Sequence, residues 1–283
     1  MDALAALKLQ LEWGADEALT EEPVARTAAP LPVRLPAAAP PDQPQPAPPP
    51  RAEPRPAALR SPAELPLASP GAHARHAREL AEASRTREEL RDALAHFDGC
   101  ALALTATHLV FADGNPDSGL MLVGEGPGAE EDRAGVPFVG ASGQLLSRML
   151  ASIGLDRTRY LITNLIPWRP PGNRNPTDTE VQICLPFLQR HIALVRPRRL
   201  VLLGKLSTGA LLGAPVRIQQ ARGKWVEVTV PGLETPVPAL PMLHPAFLLR
   251  NAGAKRAAWA DMVELRRSLD ADAEAAPENP VQG

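Results

Sequence analysis

The histidine of HPAFLLRN (244–251) closes an apolar run and is followed at once by Pro245, whose ring fixes the local backbone. An imidazole so placed can donate or accept a proton near neutral pH. The tip Phe247-Leu248-Leu249, followed by Arg250, suits a simple packed loop or a loop that pushes an aliphatic side chain into stacked bases. In NLIPWRPPGNRNPT (164–177), Asn164 ends another apolar run, and the prolines that follow exclude regular structure. Asn173 and Asn175 are turn formers, while Arg169 and Arg174 suit phosphate contacts or plain solvation. A third segment, VGEGPGAEEDRAGVPFVG (123–140), carries Glu125 and Gly126 in a Gly/Pro turn. An acidic cluster with Glu131, suited to a helix start, comes next, and then Phe138 in an apolar stretch. It lacks both the G-x-G-x-x-G and the lysine-bearing phosphate-loop patterns, which argues against a nucleotide cofactor. A tight strand-to-helix turn explains its glycines but not the exposed PFVG.

These segments follow short apolar runs: LMLVG (120–124), YLITNLI (160–166), RLVLLG (199–204) and PALPML (238–243). Each has the length of a buried strand. Helical patterns lie between them at 142–154, 178–195 and 205–213. Alternation of this kind predicts an α/β fold, a three-layer α/β/α sandwich around a short, parallel, four-stranded sheet. In such sheets ligands collect at the carboxyl ends of the strands, where Glu125, Asn164 and His244 all fall.

Composition sets the limits of this domain. No Phe, Trp or Tyr occurs between Trp13 and Phe97, so the core is expected to begin near residue 95. Sixteen of the 33 prolines lie between Glu22 and Gly71, too many for a packed core, and 23–72 reads as an extended, disordered Pro/Ala-rich linker. Ahead of it, residues 1–22 contain a short amphipathic helix (4–19) suited to docking on a protein partner. Residues 73–96 read as one helix leading into the core, 97–270 as the catalytic body and 271–283 as a disordered tail. The chain carries a net charge of −2, but Phe97 to Arg267 holds 19 Lys and Arg against 14 Asp and Glu, a balance of +5 compatible with a phosphate backbone. Two cysteines, no signal peptide and no run long enough to span a bilayer make a reduced, cytoplasmic setting the expectation, with no membrane.

Taken in order and spacing, GEGPG-x-x-ED-x-x-G-x-PFVG, TN-x-x-x-x-RPPGNRNPT and HPAFLLRN closely resemble the family 4 uracil-DNA glycosylases, over roughly residues 97 to 268. The resemblance implies a monomeric repair enzyme that flips uracil out of DNA and hydrolyses its bond to the sugar, leaving an abasic site. It implies that Phe138 stacks on uracil, that Asn164 pairs with its N3–H and O4, and that Glu125 and Gly126 lie beside the base. His244 would donate to uracil O2, where charge develops as the base leaves. Related glycosylases of another family carry an aspartate at the position of Gly126; without it, Glu131 or Asn173 becomes the candidate to orient water. Arg169, Arg174, Leu248, Leu249 and Arg250 are the expected DNA contacts.

Family 4 members usually hold a 4Fe–4S cluster on four cysteines. Alignment leaves Phe97, Cys100, Trp168 and Cys184 at those positions. Two thiols cannot hold the usual cubane, so no cofactor is expected, with the aromatic side chains packed in the cluster's place. Two other readings compete: a catalytically weak DNA-binding relative that recruits repair partners, and a hydrolase of free nucleotides. The second is weakened by the lack of a metal-binding acidic constellation, and the first has no need of a base-reading pocket.

Overall fold

The four apolar runs form the parallel centre of one sheet. The computed structural model describes residues 70–275, so the expected helix at 4–19 and most of the expected linker lie outside the described residues. The strands are β1 (Ala112–Gly114), β2 (Leu120–Gly124), β3 (Leu161–Asn164), β4 (Arg199–Leu203), β5 (Val226–Val228) and β6 (Val237–Met242). Their order is β1-β3-β2-β4-β6-β5. The four expected strands pair in parallel, and β1 and β5 add one antiparallel strand at each edge. Sequence reading missed both edges because each is only three residues long, ADG and VEV, with no continuous apolar run.

Ten helices pack around this sheet among the described residues: α1 (Pro70–Ala83), α2 (Arg87–Ala95), α3 (Ala101–Thr105), α4 (Ala129–Ala134), α5 (Ala141–Ala151), α6 (Asp178–Val195), α7 (Lys205–Leu212), α8 (Ile218–Ala221), α9 (Pro245–Arg250) and α10 (Lys255–Ala275). Because successive strand residues face opposite sides, each central strand feeds two cores. Met121, Val123, Leu161, Leu200 and Leu202 point toward α1, α2, α6 and α7, burying Ala77, Leu90, Phe187, Ile192 and Leu211. Leu120, Leu122, Ile162, Val201 and Leu203 point toward α5 and α10, burying Leu146, Leu150, Met262 and Leu265. The three-layer sandwich follows directly from that alternation.

Two helices stand where the sequence suggested one over 73–96. Ser84 turns its hydroxyl back to the Leu80 carbonyl at 2.9 Å, and Thr86 restarts the helix by accepting from the Glu89 amide at 3.1 Å. α10 continues through 271–275, residues expected in the tail. Helix α6 begins with a capping box, Thr177 and Glu180 each accepting the other's backbone N–H. Among the described residues no helix is long and apolar enough to cross a membrane.

One buried polar group stands out in the first core. His191 of α6 stacks on Phe111 at 4.5 Å with its ring nearly parallel, and its Nε2 accepts from Arg87 Nε at 3.3 Å. Burial, and then the neighbouring Arg87 charge, lower its pKa to about 3. An unfolded histidine protonates near 6.5, so between those values the unfolded chain binds the extra proton and stability falls as the pH drops. We expect acidification from pH 6.5 toward 4 to cost the wild type more than His191→Phe, by up to about 1.4 kcal/mol per pH unit. Denaturant titrations of both proteins across that range check this; equal slopes would remove His191 as the source.

Candidate active site

At the carboxyl end of the sheet a cavity of about 470 Å³ opens between the β2–α4 turn, the loop after β3, the start of α7, and α9. Its wall includes Glu125, Gly126, Glu131, Phe138, Asn164, Asn173, Arg174, His244 and Arg250, so nine of the site residues expected from sequence share one hollow. Lys205 and Gln219, which the sequence did not single out, also line it.

Asn164 ends β3 beside Gly124 of β2, and its side chain is buried at 5% exposure. Its Oδ1 has no hydrogen-bond partner, an unusual state for a buried amide oxygen. Phe138 is similarly buried and lies with its ring centroid 6.0 Å from that of His244. The backbone of Phe138 is left-handed, with φ 57°. Gly143, in the first turn of α5, allows that conformation to tuck in: a Cβ there would come within 2.0 Å of the Phe138 carbonyl oxygen. Arg157 clamps the same loop, donating from NH2 to the carbonyls of Pro137 at 2.8 Å and Phe138 at 3.4 Å. Its Nε is held by Asp113 of β1 at 2.7 Å. Sequence reading missed Arg157 because its partners lie far away along the chain.

Both acidic residues of the β2–α4 segment are fixed by backbone donors. Glu125 Oε1 accepts from the Leu206 amide at 2.8 Å, at the positive end of α7. Glu131 Oε2 accepts from Gly128 at 3.1 Å and its Oε1 from Gly140 at 2.8 Å, which ties the GEGPG turn to the PFVG loop. His244 caps α9, its Nδ1 accepting from the Ala246 amide at 3.2 Å. A ring nitrogen that accepts carries no proton, so that bond places the proton on Nε2. Burial holds the His244 pKa below its ordinary value, Glu125 opposing and Arg250 reinforcing the shift.

The other expected contacts divide. Leu249 is 48% exposed, whereas Leu248 is turned inward, buried with Leu243 and Ala258. The expected insertion loop is a short helix, and helical geometry sends its two leucines in different directions. Leu248 is therefore corrected from DNA contact to core residue. Arg174 grips Glu180 with two bonds of 2.8 and 2.6 Å, so its guanidinium serves the start of α6. Arg169 donates to Asn173 Oδ1 at 2.7 Å and holds that turn in place. At Gly126 a Cβ would meet only Ile166, at 3.6 Å, so the missing aspartate is not a matter of space.

The family model described as the uracil DNA glycosylase superfamily matches residues 111–263, and this stretch carries every wall residue named above. Type-4 uracil-DNA glycosylases of three organisms are similar to this chain. The Pyrobaculum aerophilum protein is 38% identical over 58% of this chain and 85% of its own length. For Thermotoga maritima the figures are 37%, 59% and 86%, and for Archaeoglobus fulgidus 41%, 53% and 76%. This chain is a type-4 member of the uracil DNA glycosylase superfamily.

For a type-4 glycosylase the four positions of the usual cluster deserve a test of fit. Phe97, Cys100, Trp168 and Cys184 are all buried in one core, at 3%, 0%, 4% and 1% exposure. The Phe97 ring meets Phe187 edge-on at 5.2 Å. The two thiols are free, and the neighbouring Cys100 together with burial pushes Cys184 well up. Among the described residues no group of three or more His, Cys, Asp or Glu side chains could hold a metal ion. The donor set does not fit a 4Fe–4S cluster.

Gly124 decides whether this glycosylase pocket can form. A Cβ there would come within 2.4 Å of Asn164 Oδ1 and 2.5 Å of the Phe138 ring. Both neighbours are buried, and the Phe138 backbone is held by Arg157, so a shift of either displaces a wall of the cavity. We expect Gly124→Ala to lose about 1–3 kcal/mol of stability to overpacking, still fold, and lose uracil release by about 100-fold, as a misplacement of about 1 Å in positioned groups does. Single-turnover assays with a uracil oligonucleotide, alongside a melting curve, measure both; unimpaired release would show that the amide and ring need no such contact.

Proposed function

We propose that this protein hydrolyses the N-glycosidic bond of uracil flipped out of DNA, a monofunctional glycosylase acting at the first step of base excision repair. The observation that carries the reading is the unpartnered Oδ1 of Asn164, buried opposite the Phe138 ring. A buried acceptor without a donor is costly unless a ligand supplies one. Uracil N3–H is such a donor, and its O4 accepts from the same amide. Cytosine presents an acceptor at N3 and a donor at C4, so the amide would be mispaired at both atoms. Selectivity thus follows from one buried amide whose two ends match uracil and oppose cytosine.

His244 completes the chemistry. With Nδ1 engaged by Ala246, a neutral imidazole presents Nε2–H toward uracil O2, where negative charge gathers as the bond to the sugar breaks. The ring stays neutral because burial disfavours its cation. Glu131 and Asn173 frame the place for the attacking water, and the two backbone bonds of Glu131 keep its carboxylate from swinging away. Leu249 fills the stack that uracil vacates, and Arg250 on the cavity wall places a positive charge at the entrance. A binder that only recruited partners would have no use for a pocket in which amide, ring and imidazole converge.

The oligonucleotide assay tests this reading. Wild type is expected to leave abasic sites, His244→Ala to lower kcat by about 10²–10³-fold, the worth of one charge-stabilising donor, and Asn164→Ala to abolish preference for uracil over cytosine. Wild-type activity should persist below pH 6.5, since the working imidazole is already neutral there. Failure of wild type to release uracil would favour the binding-only relative.

The same reading extends to the cofactor: the protein works without a cluster, Phe97 and Trp168 filling its place. Purified protein is expected to be colourless and free of stoichiometric iron. A brown preparation with the broad visible absorption of a cluster would overturn this.

A further inference from the structure

Three large apolar side chains are exposed among the described residues: Leu104, Leu249 and Trp259. Two of them, Leu249 and Trp259, lie on the α9–α10 segment that borders the cavity. Helix α10 runs away from the cavity: Arg199, at the start of β4, pairs with Asp272 near its far end. Its first turns therefore sit at the carboxyl edge of the sheet, where α9 also begins. One small core fixes both helices. Leu248 and Ala258 are buried together with Leu243, and the next residue in each helix, Leu249 or Trp259, is turned out to solvent at 48% or 47% exposure.

The charge along this strip is of one sign. Between Leu249 and Ala260 the chain carries Arg250, Lys255 and Arg256 and no carboxylate. The ion pairs found among the described residues use other arginines. The nearest acids along the helix are already engaged: Asp261 is buried and bound by Arg222, and Glu264 accepts from Trp225 Nε1 at 3.1 Å. Arg222 also donates to the Ala257 carbonyl, which pins this turn of α10 beside α8, and Gln219 of α8 lines the cavity. The result is a rigid ridge with an exposed indole among uncompensated cations. A polyanion with flat rings matches both features, through phosphate contacts and base stacking.

We infer that the first turns of α10, with Lys255, Arg256 and Trp259, extend the DNA-binding face and grip the strand beside the extruded nucleotide without reading its sequence. This rests on the function proposed above for the neighbouring cavity. Leu249 enters the stack, while Trp259 lies against a base or sugar further along and Arg256 holds a phosphate. The site is one of affinity, not of chemistry.

Uracil-free DNA tests it separately from catalysis. On adding a uracil-free oligonucleotide, wild-type tryptophan fluorescence is expected to fall, and that part of the fall is expected to vanish in Trp259→Phe, which keeps a ring but not the indole. Trp259→Ala is expected to bind the same DNA about tenfold more weakly, the worth of one stacked base, while Trp259→Phe stays near wild type. Arg256→Ala is expected to reduce the slope of log K against log salt by about one. On uracil-containing DNA, Trp259→Ala should raise KM and leave kcat in place. Identical DNA affinity and quenching in wild type and both Trp259 variants would overturn the inference, even if wild type releases uracil. Self-association lost in Trp259→Ala with DNA affinity intact would also overturn it, assigning the ridge to a second copy of the chain. Should wild type release no uracil yet show the Trp259-dependent quenching, the ridge would stand and the enzymatic reading would fall.

Discussion

The left-handed backbone of Phe138 is the constraint on which the pocket depends. A non-glycine residue at φ 57° is strained by about 1–3 kcal/mol and persists only where its surroundings leave no alternative. Here they leave none. Gly143 makes room for the carbonyl, Arg157 holds it, and Asp113 on the edge strand holds Arg157. The Asp113–Arg157 pair is partly open to solvent and contributes little stability by itself. Its value is directional: it aims a guanidinium at two carbonyls, and so keeps the Phe138 ring in the cavity wall. The three-residue strand β1 is thus an anchor of the site, not merely an edge of the sheet.

On the opposite face of the sheet, two of the four positions of the usual cluster carry packed aromatic side chains. In relatives with four cysteines, a cluster would tie the segment before β1 to the loop after β3 and to α6. Here Phe97, Trp168 and Phe187 lie in one core, and burying a large aromatic side chain is worth about 2–3 kcal/mol. Several such contacts give the cohesion of a staple without its ligands. Cys100 and Cys184 remain as small buried residues closed off from solvent. None of these residues lines the cavity, so the packing on that face can change while the pocket keeps its shape.

Much of this was legible in the sequence, and the misses share a cause. The four central strands are apolar on both faces and could be read as runs. The helical pattern over 178–195 coincides with α6, whose start is fixed by the capping box between Thr177 and Glu180. Thr86, whose side chain caps α2, marks the break between α1 and α2, but good helix formers on either side of it obscured the stop. At the site, the residue types were legible and their directions were not. No spacing rule distinguishes the buried Leu248 from the exposed Leu249, or shows that Glu180 claims Arg174. Arg157 was invisible because its role arises only when segments far apart in the chain meet.

Charge placement completes the design. A departing uracil carries negative charge, and two carboxylates in the same cavity would oppose it if they were free. Neither is. Glu125 lies against the amides that open α7, where the helix dipole offsets its charge, and Glu131 accepts two backbone N–H groups. On the function proposed above, the anion therefore meets the Nε2–H of a neutral imidazole first. A histidine cation would bind the leaving group more strongly, but burial disfavours it. A neutral donor in a dry, prearranged pocket needs no reorganisation when the bond breaks, and this is the form of electrostatic help that accelerates the reaction most.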